Sequence, residues 1–501
     1  MEDTGSAGRN MGSPAPPESN FTRLLKKIVD LEDIDATWWR IASELLRFAA
    51  ENMPTATSWD NLPPNQPDAT VLLISGAARE ALKDTANNVP EEGKLSFAAK
   101  QERETLQAVA IEQAAHAPFD ESMNVVATAL GLAEAIDGLT GHTFMPWYKA
   151  EGDLKVKAGT VYPIREPDPG QWLGDNAPNT RKSHLPTRRL LSTGSLRVAT
   201  DDIARYSFVL DFRYWDILSE LGRSGQLIAA VGQPNADLDD FDVRLDHTPP
   251  PTYANLGPKN HKSQAQLVRH LIDASGKANA EILVLPEYGL ASSSKKLVEK
   301  ELSSIGKIPR LVVSGVSSGT DAQGYVINDA IMIISTDGKP RTINVSRKIH
   351  PAEIAGFTER VRQSSEVRLL FTDQWTIATV ICFDGMDDDI ITQLAALGVN
   401  LLLVPSLSAK TAAMTGMATS LCTRSQAFVV MATGPARWES RAMGITSPPD
   451  LRWEAVFGGP YAIGPATQEA RSTSTALSTY PRSNLWTFEY GARQLNAYAV
   501  L

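Results

Sequence analysis

Three side chains in the second half of the chain stand at or beside the ends of short apolar runs, and together their types suit nucleophilic catalysis. Glu287 closes LVLPEYG, directly after a run of buried-strand character and a proline. A carboxylate at the apolar end of a strand is poorly solvated. Desolvation lifts its pKa above the roughly 4.3 of a free glutamate, which suits a general base. Lys348, in NVSRKIHP, offers an ammonium to a developing oxyanion. Cys382, in TIATVICFDG, stands at the sharp end of the longest apolar run. A cysteine exposed at a strand-to-loop turn becomes a nucleophile when a base and a positive charge lie nearby. Each residue alone has a plainer reading: a small core cysteine, a solvated turn glutamate, a surface lysine. Their order and local contexts set them apart.

The elements that must position these groups begin near Gly225. From there LIAAVGQ, EILVLPE, PRLVVSG, DAIMIIS, RTINVSRK, WTIATVICFD, NLLLVPS and AFVVMATG alternate with helical segments. Such alternation argues for an α/β domain around a layered sheet. Most of the runs are continuously apolar, as expected of strands covered on both faces.

Upstream the texture differs. Residues 1–20 are rich in Gly, Ser, Pro and Asn and read as a disordered tail. Trp38, Ile41, Leu45 and Phe48 recur at helical spacing until Pro54, and further helices are expected over 70–87, 96–116 and 122–136. Residues 21–137 therefore read as a mainly α-helical N-terminal domain. Residues 138–224, punctuated by PDPGQW, NAPN and HLPTRR, read as an irregular linker with one helix over 201–221. The α/β texture occupies 225–501.

In this frame the sequence resembles the nitrilase, or carbon–nitrogen hydrolase, superfamily over about residues 225–490. That family's marks are a Glu in LPE, a Lys in RK-x-H and a Cys in IC-x-D/E. This chain carries LPE at 285–287, RKIH at 347–350 and ICFD at 381–384. The segments LIAAVGQPN (227–235), GVNLLLVPS (398–406), RSQAFVVMATG (424–434) and FGGPYAIGP (457–465) resemble the family's neighbouring strands and helices.

The resemblance implies a four-layer α-β-β-α sandwich of the nitrilase type and hydrolysis of a non-peptide C–N bond through a thioester on Cys382. It makes Glu287 the base, with Lys348 and the Phe383 N–H holding the oxyanion. It implies a small amide, carbamoyl or nitrile substrate, no cofactor and no metal, and assembly as a homo-oligomer. A second pocket carboxylate is implied downstream of the lysine, where Glu353 and Glu359 both stand and Glu359 is preferred. His350 either orients Lys348, lines the pocket, or packs as a structural histidine. Gly385 and Met386 occupy the region where many amidase-type members place an arginine, so the substrate pocket should differ from theirs. Asp384 stands where true nitrilases carry Trp-Glu, which favours amides over nitriles.

Composition is compatible with this. The chain has 501 residues, enough for two domains, with 43% hydrophobic and 21% charged residues. A net charge of −10 argues against an extended nucleic-acid surface. The apolar runs are too short to span a bilayer. Two cysteines, Cys382 and Cys422, fit a reducing compartment, and the N-terminus lacks a signal-peptide pattern, so a soluble cytoplasmic protein is expected.

Competing signals are weaker. GVSSG at 315–319 matches the G-x-S-x-G pattern, but GTDAQGYVIND follows where a helix is required, so a turn between strands is expected there. Histidines 116, 142, 184, 247, 261, 270 and 350 form no metal-ligand spacing. Trp38, Trp39 and Cys422 read as core. A non-enzyme alternative is a hydrolase-like scaffold, or a gated effector, whose helical N-terminal domain binds a partner or signal.

Overall fold

The computed structural model describes residues 17–53, 66–83, 95–164, 170–173, 193–199, 206–302, 307–336, 339–408, 411–435, 440–441, 443–445, 454–461, 471–476 and 484–500. Of the tail expected over residues 1–20, residues 1–16 lie outside these, as does most of the Pro- and Gly-rich stretch 165–192, whereas residues 17–20 are not a tail but open the helix Pro17–Val29. The chain is mixed α/β and divides into two compact units, one of residues 1–150, 158–164 and 186–200, the other of 151–157, 165–185 and 201–501. No helix among the described residues is long and apolar enough to cross a membrane.

The first unit holds the helices Pro17–Val29, Trp38–Asn52, Gln66–Ala81, Lys100–His116 and Glu121–Thr140, and the strand pair Val161–Pro163 with Leu196–Val198. Two helix starts are capped as their sequences dictate: Thr37 accepts from Arg40 N and Asp120 from Met123 N. Glu121–Thr140 is apolar nearly all round and buried along most of its length, so it forms the centre. Gly131 lets it approach Gln66–Ala81, because a Cβ there would stand 2.6 Å from Ile74 Cγ2. Buried Arg103 donates to the carbonyls of Val29 and Leu31, at and just past the end of the first helix, and to the Ala98 carbonyl and Asp33. Trp38 is buried. Trp39 stacks on Trp147 at 3.6 Å and donates to Tyr148 Oη.

Two expectations for 138–224 need correction. Residues 141–164 are not irregular: they contain the helix Met145–Glu151 and the strands Asp153–Val156 and Val161–Pro163. Their prolines and glycines fall at element boundaries. The helix expected over 201–221 is, within its described part, the strand Ser207–Asp211 followed by the one-turn helix Trp215–Leu218. SFVLD is a short, nearly wholly buried run. It pairs parallel with Glu366–Phe371 and antiparallel with Asp153–Val156, so sheet partners outweigh helical spacing.

In the second unit, all eight apolar runs named from sequence are strands. Among the described residues one path runs Arg471–Ala476, Glu454–Tyr461, Phe428–Gly434, Leu401–Leu407, Thr376–Thr379, Glu366–Phe371. It continues through Lys339–Arg347, Val326–Thr336, Leu311–Thr320, Ile282–Val284, Ile228–Gly232, Leu485–Glu489 and Gln494–Tyr498. The two halves of this path join through the single residue pair Ser346↔Val367. Elsewhere they pack together: Phe457 stacks on Phe488 at 5.1 Å, and Tyr490 Oη donates to the Val429 carbonyl.

Helix His261–Lys277 covers one half with Ala265, Val268, Leu271 and Ile272, set against Leu283, Val312 and Ile331. Each fully buried Val, Leu or Ile among these contributes roughly 2 kcal/mol. Helices Asp388–Ala396 and Thr411–Ser425 bury Ile390, Ile391, Leu394, Met414, Ala418 and Leu421, and Cys422 lies among these buried residues of the second helix. GVSSG is not a turn. It lies inside the strand Leu311–Thr320, whose register with Val326–Thr336 shifts after Ser317. Gly315 serves close packing there, while Gly319 takes a left-handed φ of 103° where the register shifts.

Candidate active site

Strand ends deliver the site. Ile282–Val284 leads through Leu285 and Pro286 to Glu287. Gly315 on the adjoining strand lets Glu287 sit close, since a Cβ on Gly315 would meet Glu287 Cα at 2.6 Å. Lys348 follows the strand Lys339–Arg347, and its backbone N–H donates to the Asn328 carbonyl at 2.9 Å. Cys382 opens a short 3-10 turn just past the strand Thr376–Thr379. Its φ is 50°, a left-handed conformation that a non-glycine residue holds only when its surroundings enforce it.

Glu287 and Lys348 are each 1% exposed and Cys382 is 3% exposed, so their chemistry takes place out of bulk water. Lys348 Nζ lies 2.7 Å from Glu287 Oε1 and 2.5 Å from Glu359 Oε2. Glu287 also accepts from Asn328 Nδ2 at 2.7 Å and from the Leu407 N–H at 3.1 Å. The Leu407 carbonyl in turn accepts from Cys382 Sγ at 3.5 Å. One residue at the end of Leu401–Leu407 thus touches the carboxylate with its N–H and the thiol with its carbonyl.

Glu359 is fixed by the Tyr288 hydroxyl at 2.7 Å and the Ala352 N–H at 3.1 Å. Of the two candidate second carboxylates, Glu359 joins the buried set and Glu353 lies exposed on the strand Glu353–Ile354.

Asp384, buried two residues past the cysteine, accepts from the N–H groups of Ile349 and His350 and lies 3.2 Å from His350 Nδ1. His350 is partly exposed and stands 3.5 Å from Asp387 with its other ring nitrogen. The Phe383 side chain is 43% exposed, with its ring 6.0 Å from that of His350. Among the described residues no group of three or more His, Cys, Asp or Glu side chains is placed to hold a metal ion.

The electrostatics follow from burial. Desolvation raises the Glu287 carboxyl, with Glu359 adding to the effect and Lys348 opposing it. Burial works against the Lys348 ammonium, but Glu287 and Glu359 outweigh it and hold the group well above its ordinary value. The Cys382 thiol is pushed up to about 12, first by burial and then by Glu287. Cys382 therefore rests as a thiol and needs a base when it attacks. Tyr253 and Tyr288 are both raised well above 10.0, by burial and then by Glu359.

Sequence reading missed Asn328, Tyr288, Tyr253 and the Leu407 peptide. The visible signal for Asn328 was a polar residue inside the apolar run VINDAIMIIS. Leu407 left none, because its contribution is a main-chain group.

The arrangement can supply a thiol nucleophile, a desolvated carboxylate base and an ammonium beside it, all at strand ends of a mixed α/β sheet. Residues 249–445 match the model of the carbon-nitrogen hydrolase family, so the chain carries a carbon–nitrogen hydrolase domain. No curated protein matches the chain. Among solved structures, an amidase from Nesterenkonia sp. AN1 is 13% identical over 50% of this chain and 91% of its own, at a TM-score of 0.33. A carbon-nitrogen hydrolase from Helicobacter pylori G27 is 12% identical over 51% and 92%, at 0.36. A glutamine-dependent NAD+ synthetase from Acinetobacter baumannii is 14% identical over 55% and 47%, at 0.33.

Proposed function

We propose that the chain hydrolyses a small amide or carbamoyl compound through a thioester on Cys382. The observation that carries this reading is the buried set of Glu287, Lys348 and Glu359 beside a left-handed Cys382.

Glu287 takes the Cys382 proton as sulfur attacks the carbonyl carbon. Lys348 and the Phe383 N–H stabilise the tetrahedral oxyanion. Glu287 returns the proton to the departing nitrogen, and ammonia or an amine leaves a thioester. Water then gives a proton to Glu287 and attacks the thioester, and the acid departs as the thiol re-forms. Two carboxylates share one ammonium in this buried space, so a thiolate without proton transfer would add a second unbalanced negative charge. Transfer to Glu287 leaves the total charge unchanged, which favours concerted deprotonation. The reading takes residues 225–501 as the hydrolase domain, layered α-β-β-α, preceded by the helical domain of residues 21–137.

The test is ammonia release from a panel of amides, carbamoyl compounds, glutamine and nitriles. Turnover by the wild type that disappears in folded Cys382→Ala supports the proposal. Turnover that survives the substitution sinks it.

A further inference from the structure

Asn328 is fully buried on the strand Val326–Thr336 and touches three members of the site. Its Nδ2 donates to Glu287 Oε1 at 2.7 Å and to Tyr288 Oη at 3.0 Å. Its carbonyl accepts the Lys348 N–H at 2.9 Å. The contacts close on themselves: Asn328 to Tyr288, Tyr288 to Glu359, Glu359 to Lys348, Lys348 to Glu287, and Glu287 back to Asn328. Asn328 alone in this ring holds the base by side chain and the lysine by main chain.

The choice of an amide has a cost. Asn328 Oδ1 is buried without a hydrogen-bond partner among the described residues, in a strand otherwise dominated by valine, isoleucine and methionine. An aliphatic residue would remove that unsatisfied acceptor but leave Glu287 with one donor fewer. An aspartate would place a third carboxylate against a single ammonium.

We propose that Asn328 is a positioning residue that holds Glu287 against Lys348 and keeps the carboxylate ionised until the Cys382 proton arrives. The proposal rests on Glu287 being the base for Cys382. It needs no identified substrate to be tested, because alkylation of the thiol reports the same proton transfer.

The experiment is the rate of Cys382 modification by iodoacetamide, followed by peptide mass spectrometry on the full chain from about pH 5 to 9. Wild type, Asn328→Leu and Asn328→Asp are compared, with Cys382→Ala as the blank. In wild type the rate falls on the acid side as Glu287 takes up a proton. Both substitutions are expected to move this acid limb upward by about one pH unit. Asn328→Asp changes almost no volume, so it keeps the test open if the leucine variant does not fold. A merely structural role would lower the melting temperature and scale the rate equally at every pH. A clear wild-type limb that neither substitution moves overturns the proposal. A wild-type profile with no acid limb overturns the role of Glu287 and the proposal with it.

Discussion

Asp384 holds His350 twice, accepting its backbone N–H at 2.8 Å and lying 3.2 Å from its ring Nδ1. Through this contact the turn that carries Cys382 is tied to the segment that carries Lys348. Asp384→Ala removes that tie and the bond from Ile349 as well. A displacement of about 1 Å costs up to roughly 100-fold in rate, so kcat/KM should fall between ten- and a hundred-fold. Asp384→Asn, which keeps one acceptor oxygen, should lose less. Steady-state kinetics on both variants checks the order.

Gly315 is the floor under Glu287. In Gly315→Ala the new Cβ would stand 2.6 Å from Glu287 Cα and 3.0 Å from Tyr288 N, so the backbone of the base must move. Activity should drop by about ten-fold or more while the fold persists. Far-UV circular dichroism with the ammonia assay separates these effects, and full activity would show that the close approach is dispensable.

Ser317 offers the complementary test. It lies buried within a strand, and its hydroxyl has no partner among the described residues. Ser317→Ala should leave turnover unchanged within about two-fold. A collapse of activity would revive the serine-nucleophile reading of GVSSG.

The pH dependence has two parts. Glu287 is raised above 4.5, chiefly by burial, so turnover should fall as pH drops through that raised value, where the base becomes protonated. Lys348 is held well above 10.5 in the folded state by Glu287 and Glu359 against the effect of burial. A cation whose folded pKa is raised contributes stability that is complete below its unfolded value. That contribution is lost as pH rises through the folded value. Chemical denaturation at alkaline pH should therefore show stability declining above about 10.5 in wild type. The decline should be smaller in Lys348→Met.

Away from the site, buried Asp211 is gripped by Arg213 and by Arg368 at 3.0 Å. Burial raises its carboxyl, but the arginine contacts outweigh burial and hold it below 3.8. Its stabilising contribution is present above that value and lost as pH falls through the lower folded one. Asp211→Asn should cost about 2 kcal/mol near neutral pH, measured by denaturant unfolding, with the difference shrinking in acid.

What could be read from the sequence divides along physical lines. Glu287 and Cys382 were legible because each follows a run of continuous apolar residues, and such runs announce strand ends, whereas Lys348 follows the alternating TINVSR and was legible through RKIH at 347–350. The helix Trp38–Asn52 was legible through its periodicity and the strand Leu401–Leu407 through its unbroken apolarity. Ser207–Asp211 was not, because a five-residue aromatic and aliphatic run fits either period and only its two sheet partners decide. The choice between Glu353 and Glu359 needed the fold too, since pairing of Phe357–Glu359 with Thr252–Pro258 turns Glu359 inward. Contacts that depend on register, such as Asn328 with Glu287, leave only a faint trace in one dimension.

The central claim is a covalent thioester on Cys382, and acid-quenched peptide mass spectrometry during turnover of the best amide substrate tests it directly. The account predicts an acyl adduct on the peptide bearing Cys382, formed as ammonia is released and absent from Cys382→Ala. Steady turnover with no adduct at Cys382, or ammonia release that continues in Cys382→Ala, would contradict it.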